Sequence, residues 1–440
     1  MRKIFIIIFI ISTVSCSSLL EVHKKQKTFL KSTYKNVKIY ESDGFGLGPC
    51  EPSIFINPTN TNNMVAGSVL NNYHFSFDGG LTWETQKLQS DLGVFGDPCI
   101  VADNQGNFYY LHLSDPDKIG WKSPNILDQI VVQKSVDGGK NWSSGTGIGK
   151  NSPKQQDKEW AVINPLNNEI YVTWTEFDKY GSKNTSDKSR ILFSKSVDGG
   201  NSFSDPINLS QLEGNCMDDD LTTEGAVPSV GVNGEIYVAW SFNQQIYFDK
   251  SVDNGQNWLA EDVIITSQNG GWKTEIPGIG RSNGMPVTAV DHSNSKHRGT
   301  IYVNWTDVRN GINNTDVFIA KSKNNGKTWS KPKKVNTDKS VSHQFLTWMS
   351  VDPKTGFIYI VYYDRHQLNN NKTDVSLAVS YNGGKKFVSK KISENPFSAL
   401  PKEVFFGDYN NINALNGVIR PVWTHYENEK LSIFTAIINE

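Results

Sequence analysis

An eight-residue phrase recurs six times along the 440 residues, and it constrains the fold more than any other feature. It reads SFDGGLTW from Ser76, SVDGGKNW from Ser135, SVDGGNSF from Ser196, SVDNGQNW from Ser251, SKNNGKTW from Ser322 and SYNGGKKF from Ser380. Successive copies start 55 to 71 residues apart. A fixed phrase at a nearly fixed period implies repeats that bury their apolar faces only by stacking on one another. The residue types suit a hairpin turn. Ser and Asp or Asn side chains hydrogen-bond backbone groups a few residues on, and the fifth-place Gly suits a positive φ. The closing Trp or Phe is a large apolar plug between neighbouring repeats.

A second signal lies between the turns. Seven short apolar openings, beginning near residues 51, 97, 159, 227, 285, 346 and 405, are each followed by a run rich in β-branched and aromatic residues. Such runs read as strands. Each repeat then reads strand A, strand B, strand C, turn phrase, strand D. The seventh lacks its last strand, and residues 37–41 are placed to supply it. That closes the ring and protects its edges. The expected architecture is an all-β propeller of four-stranded antiparallel blades. Seven blades are favoured, and six is the alternative in which one opening is demoted.

The phrase resembles the Asp-box, or BNR repeat, of the sialidase-like β-propellers, over nearly all of the chain after about residue 36. Asn324 and Asn382 depart from its Asp, and Phe203 and Phe387 from its Trp. The box itself reads as structural turn chemistry. The resemblance implies an exported glycoside hydrolase acting on terminal acidic sugars. The alternative is a non-catalytic surface propeller that binds a glycan or protein. A glycan or other carbohydrate is the expected partner, and the protein is expected to be a monomer.

The N-terminus reads as a targeting segment. Arg2 and Lys3 precede a short apolar run, followed by small residues ahead of Cys16. This resembles a lipoprotein signal peptide over residues 1–16, with Cys16 as the lipidated residue. Residues 17–35, carrying Lys24, Lys25, Lys27, Lys31 and Lys35, read as a flexible tether, and 36–440 as one propeller domain. The expected location is the bacterial cell envelope or surface, with membrane contact only through the lipid anchor. A net charge of −1 gives no footprint for nucleic acid. Cys50, Cys99 and Cys216 are left in the mature chain, and Cys50 with Cys99 is the better disulfide pair.

In a propeller with strand A innermost, the D-to-A links and B-to-C loops share one face, and the turn phrases lie on the other. Chemistry is therefore sought just before strand A and just after strand B. The residues there include Glu51, Asp97, Asp157, Glu159, Glu224, Arg281, Asp408 and Tyr409 before strand A. After strand B they include Glu176, Asp178, Asp307, Arg309, Tyr363, Asp364, Arg365, His366 and His425. The chain has only seven arginines. Guanidinium groups suit a sugar carboxylate, so Arg281, Arg309 and Arg365 are candidate substrate ligands, with Glu51 and Glu224 beside them. The resemblance implies a Tyr nucleophile activated by an acid, and a separate acid for the leaving oxygen. Tyr363 with Asp364, Tyr409 with Asp408, and Asp97 are the catalytic candidates. A sialidase reading requires the three arginines to converge on a cavity holding a Tyr–carboxylate pair.

Two departures bear on that reading. Sialidases carry Arg-Ile-Pro ahead of the first box, whereas this chain has Cys50-Glu51-Pro52-Ser53-Ile54. The phrase Phe406-Gly407-Asp408-Tyr409 is similar to one in exported sialidase-like BNR proteins. Asp218-Asp219-Asp220, with Glu213 and Glu224 near, offers hard oxygen ligands that suit calcium. No other cofactor or metal is expected.

Overall fold

The structure, a computed structural model, describes residues 20–42, 46–366, 368, 370–401 and 403–440. Seven antiparallel sheets follow one another around a central channel. Their innermost strands are Ser53–Ile56, Cys99–Ala102, Gln155–Ile163, Glu224–Val230, Val287–Val290, Gln344–Val351 and Asn411–Leu415. The first six blades run A-B-C-D in chain order. In the seventh, Asn36–Glu41 pairs antiparallel with Lys430–Ala436, so the two ends of the chain close the ring. Without that strand Lys430–Ala436 is an open edge, which is the physical reason for the closure.

The turn phrases behave as their residue types dictate. In the third copy the Ser196 hydroxyl donates to Asp198 at 2.8 Å and accepts from the Gly200 N–H at 2.9 Å. Asp198 accepts from the Ser202 hydroxyl and backbone, which holds its carboxyl down at about 2. Asn324 and Asn382 make the same serine contacts at 2.9 and 3.1 Å, so the turn needs the oxygen rather than the charge. At the fifth place a Cβ on Gly326 lies 2.3 Å from the Phe248 ring of the preceding blade. Glycine there serves both φ and close blade stacking. Trp142 stands edge-on to Tyr73 and Tyr110 and fills the gap between blades one and two.

Residues 20–31, within the stretch expected as a tether, form a helix, α1. Its Phe29 is buried, and the Lys390 ammonium donates to the carbonyls of Phe29, Leu30 and Ser32 at its C-terminal end. Cys16 lies outside the described residues. Cys50, Cys99 and Cys216 are free and buried, so the expected Cys50–Cys99 pairing is absent.

The channel is bridged by aromatics from three blades. The Trp160 and Trp348 rings are 4.2 Å apart, and Tyr409 meets Trp160 edge-on at 4.9 Å. A cavity of about 400 Å³ is lined by strand A of every blade, with Pro58, Pro165 and Pro353 at the turn end. The ionisable cluster described next lies at the opposite end.

Candidate site at the channel mouth

The backbone just ahead of strand A is bent the same way in most blades. Glu51, Asp97, Lys158 and Leu346 have φ of 52°, 50°, 56° and 45°, and Gly225 and Gly407 lie in the same region. Left-handed φ at non-glycine residues is costly and clusters where side chains are aimed for a purpose. Strand A of blades three, four and six also slips register, between Asp157 and Trp160, Glu224 and Val227, and Phe345 and Trp348. Such bulges turn side chains out of the alternating pattern. Here the bend and the bulge bring acidic side chains from neighbouring blades to one end of the channel.

Asp408 is the centre of the cluster. Lys158 Nζ lies 2.6 Å from its Oδ2 and Arg281 Nε 2.7 Å from its Oδ1. Its N–H donates to Glu51 Oε1 at 2.9 Å, and its carbonyl accepts from Asn283 Nδ2 at 3.1 Å. A Cβ at Gly407 lies 2.5 Å from Glu51 Cγ, so this approach requires glycine. Burial pushes the Asp408 carboxyl up, but Arg281 and Lys158 outweigh it and hold it below the ordinary aspartate range. Lys158 also reaches Asp97 at 3.5 Å.

The surrounding acids behave oppositely. Burial, reinforced by Asp97, pushes Glu51 and Glu159 well above the usual carboxylate range. Burial and then Asp218 do the same to Glu224. Both carboxyl oxygens of Glu159 and Glu224 lack a hydrogen-bond partner among the described residues. Asp157 is raised to about 7, by burial first, with Lys158 pulling down and Asp97 and Asp218 pushing up. One clamped, lowered carboxyl among carboxyls that burial raises is what a crowded, poorly hydrated acidic site produces.

Arg281 links this buried centre to the surface. Its Nη2 meets Asp218 Oδ2 at 2.8 Å, and its side chain is about a third exposed (34%). Asp218 also accepts from the Tyr180 hydroxyl at 2.9 Å and Trp272 Nε1 at 3.2 Å. Tyr180 stacks on Trp121 with ring centroids 5.5 Å apart, and Trp121 is 57% exposed. Beside Arg281, residues 272–283 with Met217, Ile312 and Leu400 line a groove of about 940 Å³. Trp121 does not line this groove but adjoins it through Tyr180 and Asp218.

The structure thus brings together Glu51, Asp97, Glu224, Arg281, Asp408 and Tyr409, with Asp157 and Glu159. Tyr409 is buried on Trp160, its hydroxyl 3.4 Å from the Pro98 carbonyl. The other expected residues lie elsewhere. Arg309 forks Asp307, with Nε 2.9 Å from both carboxyl oxygens, and packs on Phe318. Arg365 donates to the Pro277 carbonyl at 2.7 Å and to Thr373 Oγ1 at 3.0 Å. The Tyr363 hydroxyl is spent on the Thr424 carbonyl and N–H at 3.0 and 2.9 Å. Asp364 accepts from Ser376, Gln344 and the His366 N–H. Of the three arginines, only Arg281 faces the mouth. Asp218, Asp219 and Asp220 diverge: Asp219 takes Asn215 and the Leu221 N–H, and Asp220 the Lys273 N–H. Among the described residues no group of three or more His, Cys, Asp or Glu is arranged for a metal ion.

Lys158, Tyr180, Trp121 and Trp272 were not expected. Lys158 carried a signal, since it stands between Asp157 and Glu159 at a strand-A start. Trp121 carried none, because it sits in the long B-to-C loop of blade two and reaches Tyr180 only across blades.

Blades and closure together define a seven-bladed β-propeller. No family model matches the chain. A sialidase of Bacteroides fragilis is 30% identical over 108 residues, which cover 20% of this chain and 19% of that protein. The chain thus matches about a fifth of that relative's length. Among solved structures, an ulvan lyase, described as a new polysaccharide lyase family, superposes with a TM-score of 0.56 at 13% identity. It covers 92% of this chain and 96% of its own. A Dyadobacter fermentans protein of unknown function has a TM-score of 0.50 at 13% identity, covering 93% and 98%. These likenesses establish the fold.

Proposed function

We propose that the protein is a carbohydrate-active enzyme whose site is the channel mouth, with Asp157 as general acid. One observation carries this reading: Lys158 and Arg281 clamp Asp408 at 2.6 and 2.7 Å, with Asp157 next to Lys158, and the two carboxyl groups are driven apart, Asp157 up to about 7 and Asp408 below its ordinary range. Groups separated in this way are the means by which one site supplies an acid and keeps a carboxylate at neutral pH. Arg281 is the partly exposed cation that meets an acidic or hydroxyl-rich sugar, and Trp121 on Tyr180 is the stacking surface. The neighbours point the same way, one being named a sialidase and one an ulvan lyase. The finer proposal, removal of terminal acidic sugars, is for a one-arginine site, since Arg309 and Arg365 are engaged elsewhere. Attachment to the cell envelope through a lipid on Cys16 belongs to the same proposal.

The test is turnover of a panel containing a fluorogenic sialoside, uronic-acid glycans and neutral glycans. Activity should fall as pH rises through about 7, where Asp157 loses its proton, and should drop about a hundredfold or more in Asp157→Asn. A second reading, glycan binding without chemistry, is favoured by the burial of Asp408 and Lys158, which already satisfy each other. Binding to a glycan with no turnover across the panel selects that reading. Neither binding nor turnover refutes both.

A further inference from the structure

The turn face, opposite the channel mouth, is not uniform in charge. The first four turn phrases each carry an aspartate: Asp78, Asp137, Asp198 and Asp253. The fifth and sixth have Asn324 and Asn382 there, and they add the exposed Lys323, Lys327, Lys385 and Lys386. The turn geometry is unchanged, so these exchanges alter charge and little else. The two turns are tied together. Lys321 Nζ donates to the Gly383 carbonyl at 2.5 Å, and Lys333 donates to the Lys385 carbonyl. Lys321 is held below the ordinary lysine range by burial and then by Lys323, Lys333 and Lys385, a like-charge crowd.

Helix α1 extends this basic area. Its Lys25 ammonium lies 5.4 Å from the Phe357 ring, which stands edge-on to Tyr381 of the sixth turn at 4.8 Å. With Phe29 buried beneath, Lys24, Lys27 and Lys31 recur at helical spacing and are exposed. On the same helix Leu20 and Leu30 are exposed as well, at 65% and 48%. The carboxyl groups nearby are few. Glu21 lies on α1, Glu394 accepts from the Asn36 N–H at 2.9 Å, and Glu440 is occupied by the Tyr359 and Tyr381 hydroxyls at 3.0 and 2.7 Å. A net charge of −1 therefore conceals a molecule acidic at the channel mouth and basic on one part of its turn face.

We propose that the turn face of blades five and six, with α1, docks on an anionic lipid surface and holds the channel mouth pointing away from it. Clustered lysines near a bilayer are drawn to anionic headgroups. Leucines on the same helix enter the boundary between headgroup and acyl chain, which a soluble anionic polymer does not offer. The surface serves either reading of the site, because the substrate side is left open to solution.

The test uses the full chain, produced without export so that Cys16 carries no lipid. Co-sedimentation is measured with phosphatidylglycerol–phosphatidylcholine vesicles and with pure phosphatidylcholine vesicles. Binding is expected only to the anionic vesicles. It should fall at least about tenfold in the Lys323→Glu, Lys327→Glu, Lys385→Glu, Lys386→Glu variant, and again with rising salt. Reversing Lys118 and Lys122, exposed near Trp121, should leave it unchanged. These residues are exposed, and an unaltered thermal transition verifies that the variants fold. Equal binding to both vesicle types, or an undiminished affinity in the four-lysine variant, overturns the proposal. So does tighter binding to dextran sulfate than to the anionic vesicles, which reassigns the surface to a polyanion.

Discussion

Replacing Lys158 by methionine removes one of the two cations that clamp Asp408. Lys158 Nζ is 2.6 Å from Asp408, and the two side chains are 5% and 0% exposed. Removing one member of a buried pair costs about 3–5 kcal/mol, because the other charge is left without compensation. Methionine keeps most of the lysine stem, and Arg281 stays on Asp408 at 2.7 Å, so the lower end, about 3 kcal/mol, is expected. The assay is urea unfolding followed by tryptophan fluorescence, read as a shift of midpoint at constant slope. Lys158→Met with Asp408→Asn should be less destabilised than the sum of the single variants, by about 1–3 kcal/mol. A loss below about 1 kcal/mol in Lys158→Met, or strict additivity in the double variant, refutes the reasoning. Lys158 also pulls the Asp157 carboxyl down, so its removal should push the Asp157 transition further up.

Glu224, Glu51, Glu159 and Asp157 all have folded values raised above their unfolded ones, so their contribution is fully present below about pH 4 and is lost as pH rises toward each folded value. Stability should therefore decline as pH rises from about 4 toward the Asp157 value of about 7, and Glu224→Gln should make that decline shallower, measured by denaturant midpoint against pH. Gly326→Ala, whose methyl meets the Phe248 ring at 2.3 Å, should cost about 2 kcal/mol or more, whereas Asp198→Asn should cost under about 1 kcal/mol, as Asn324 and Asn382 imply. Trp121→Ala should weaken binding of an oligosaccharide more than of a single-ring glycoside, by about tenfold in titration calorimetry, with little effect on the unfolding midpoint because Trp121 is 57% exposed.

The turn phrases and strand runs made the propeller legible, because each is a local device. A serine, an aspartate and two left-handed positions fold one turn wherever they stand. Counting openings against turns also exposed the closure by Asn36–Glu41, since a blade short of one strand leaves an open edge. The same topology placed Glu51, Asp97, Glu224, Arg281 and Asp408 on one face, and they do meet. Arg309 and Arg365 stand at the same kind of position after strand B, yet they turn aside. Arg309 folds back onto Asp307 two residues away, and Arg365 onto the Pro277 carbonyl and Thr373. Choosing between a nearby partner and the channel depends on side-chain direction, which spacing does not encode.

The sequence by itself determined the repeat, its turns and the face on which ionisable groups gather, and favoured seven blades over six, because these follow from local chemistry and strand alternation; the closed ring settled the count at seven. Tertiary structure alone decided which charges are neighbours. It set Lys158 and Arg281 on either side of Asp408, buried Glu159 and Glu224 with no hydrogen-bond partner among the described residues, and stacked Trp121 on Tyr180. It also joined α1 to two lysine-rich turns more than 290 residues further along the chain. The physical reason is the same in each case: Coulomb and desolvation energies depend on distance and burial, and only the closed ring brings separate blades together.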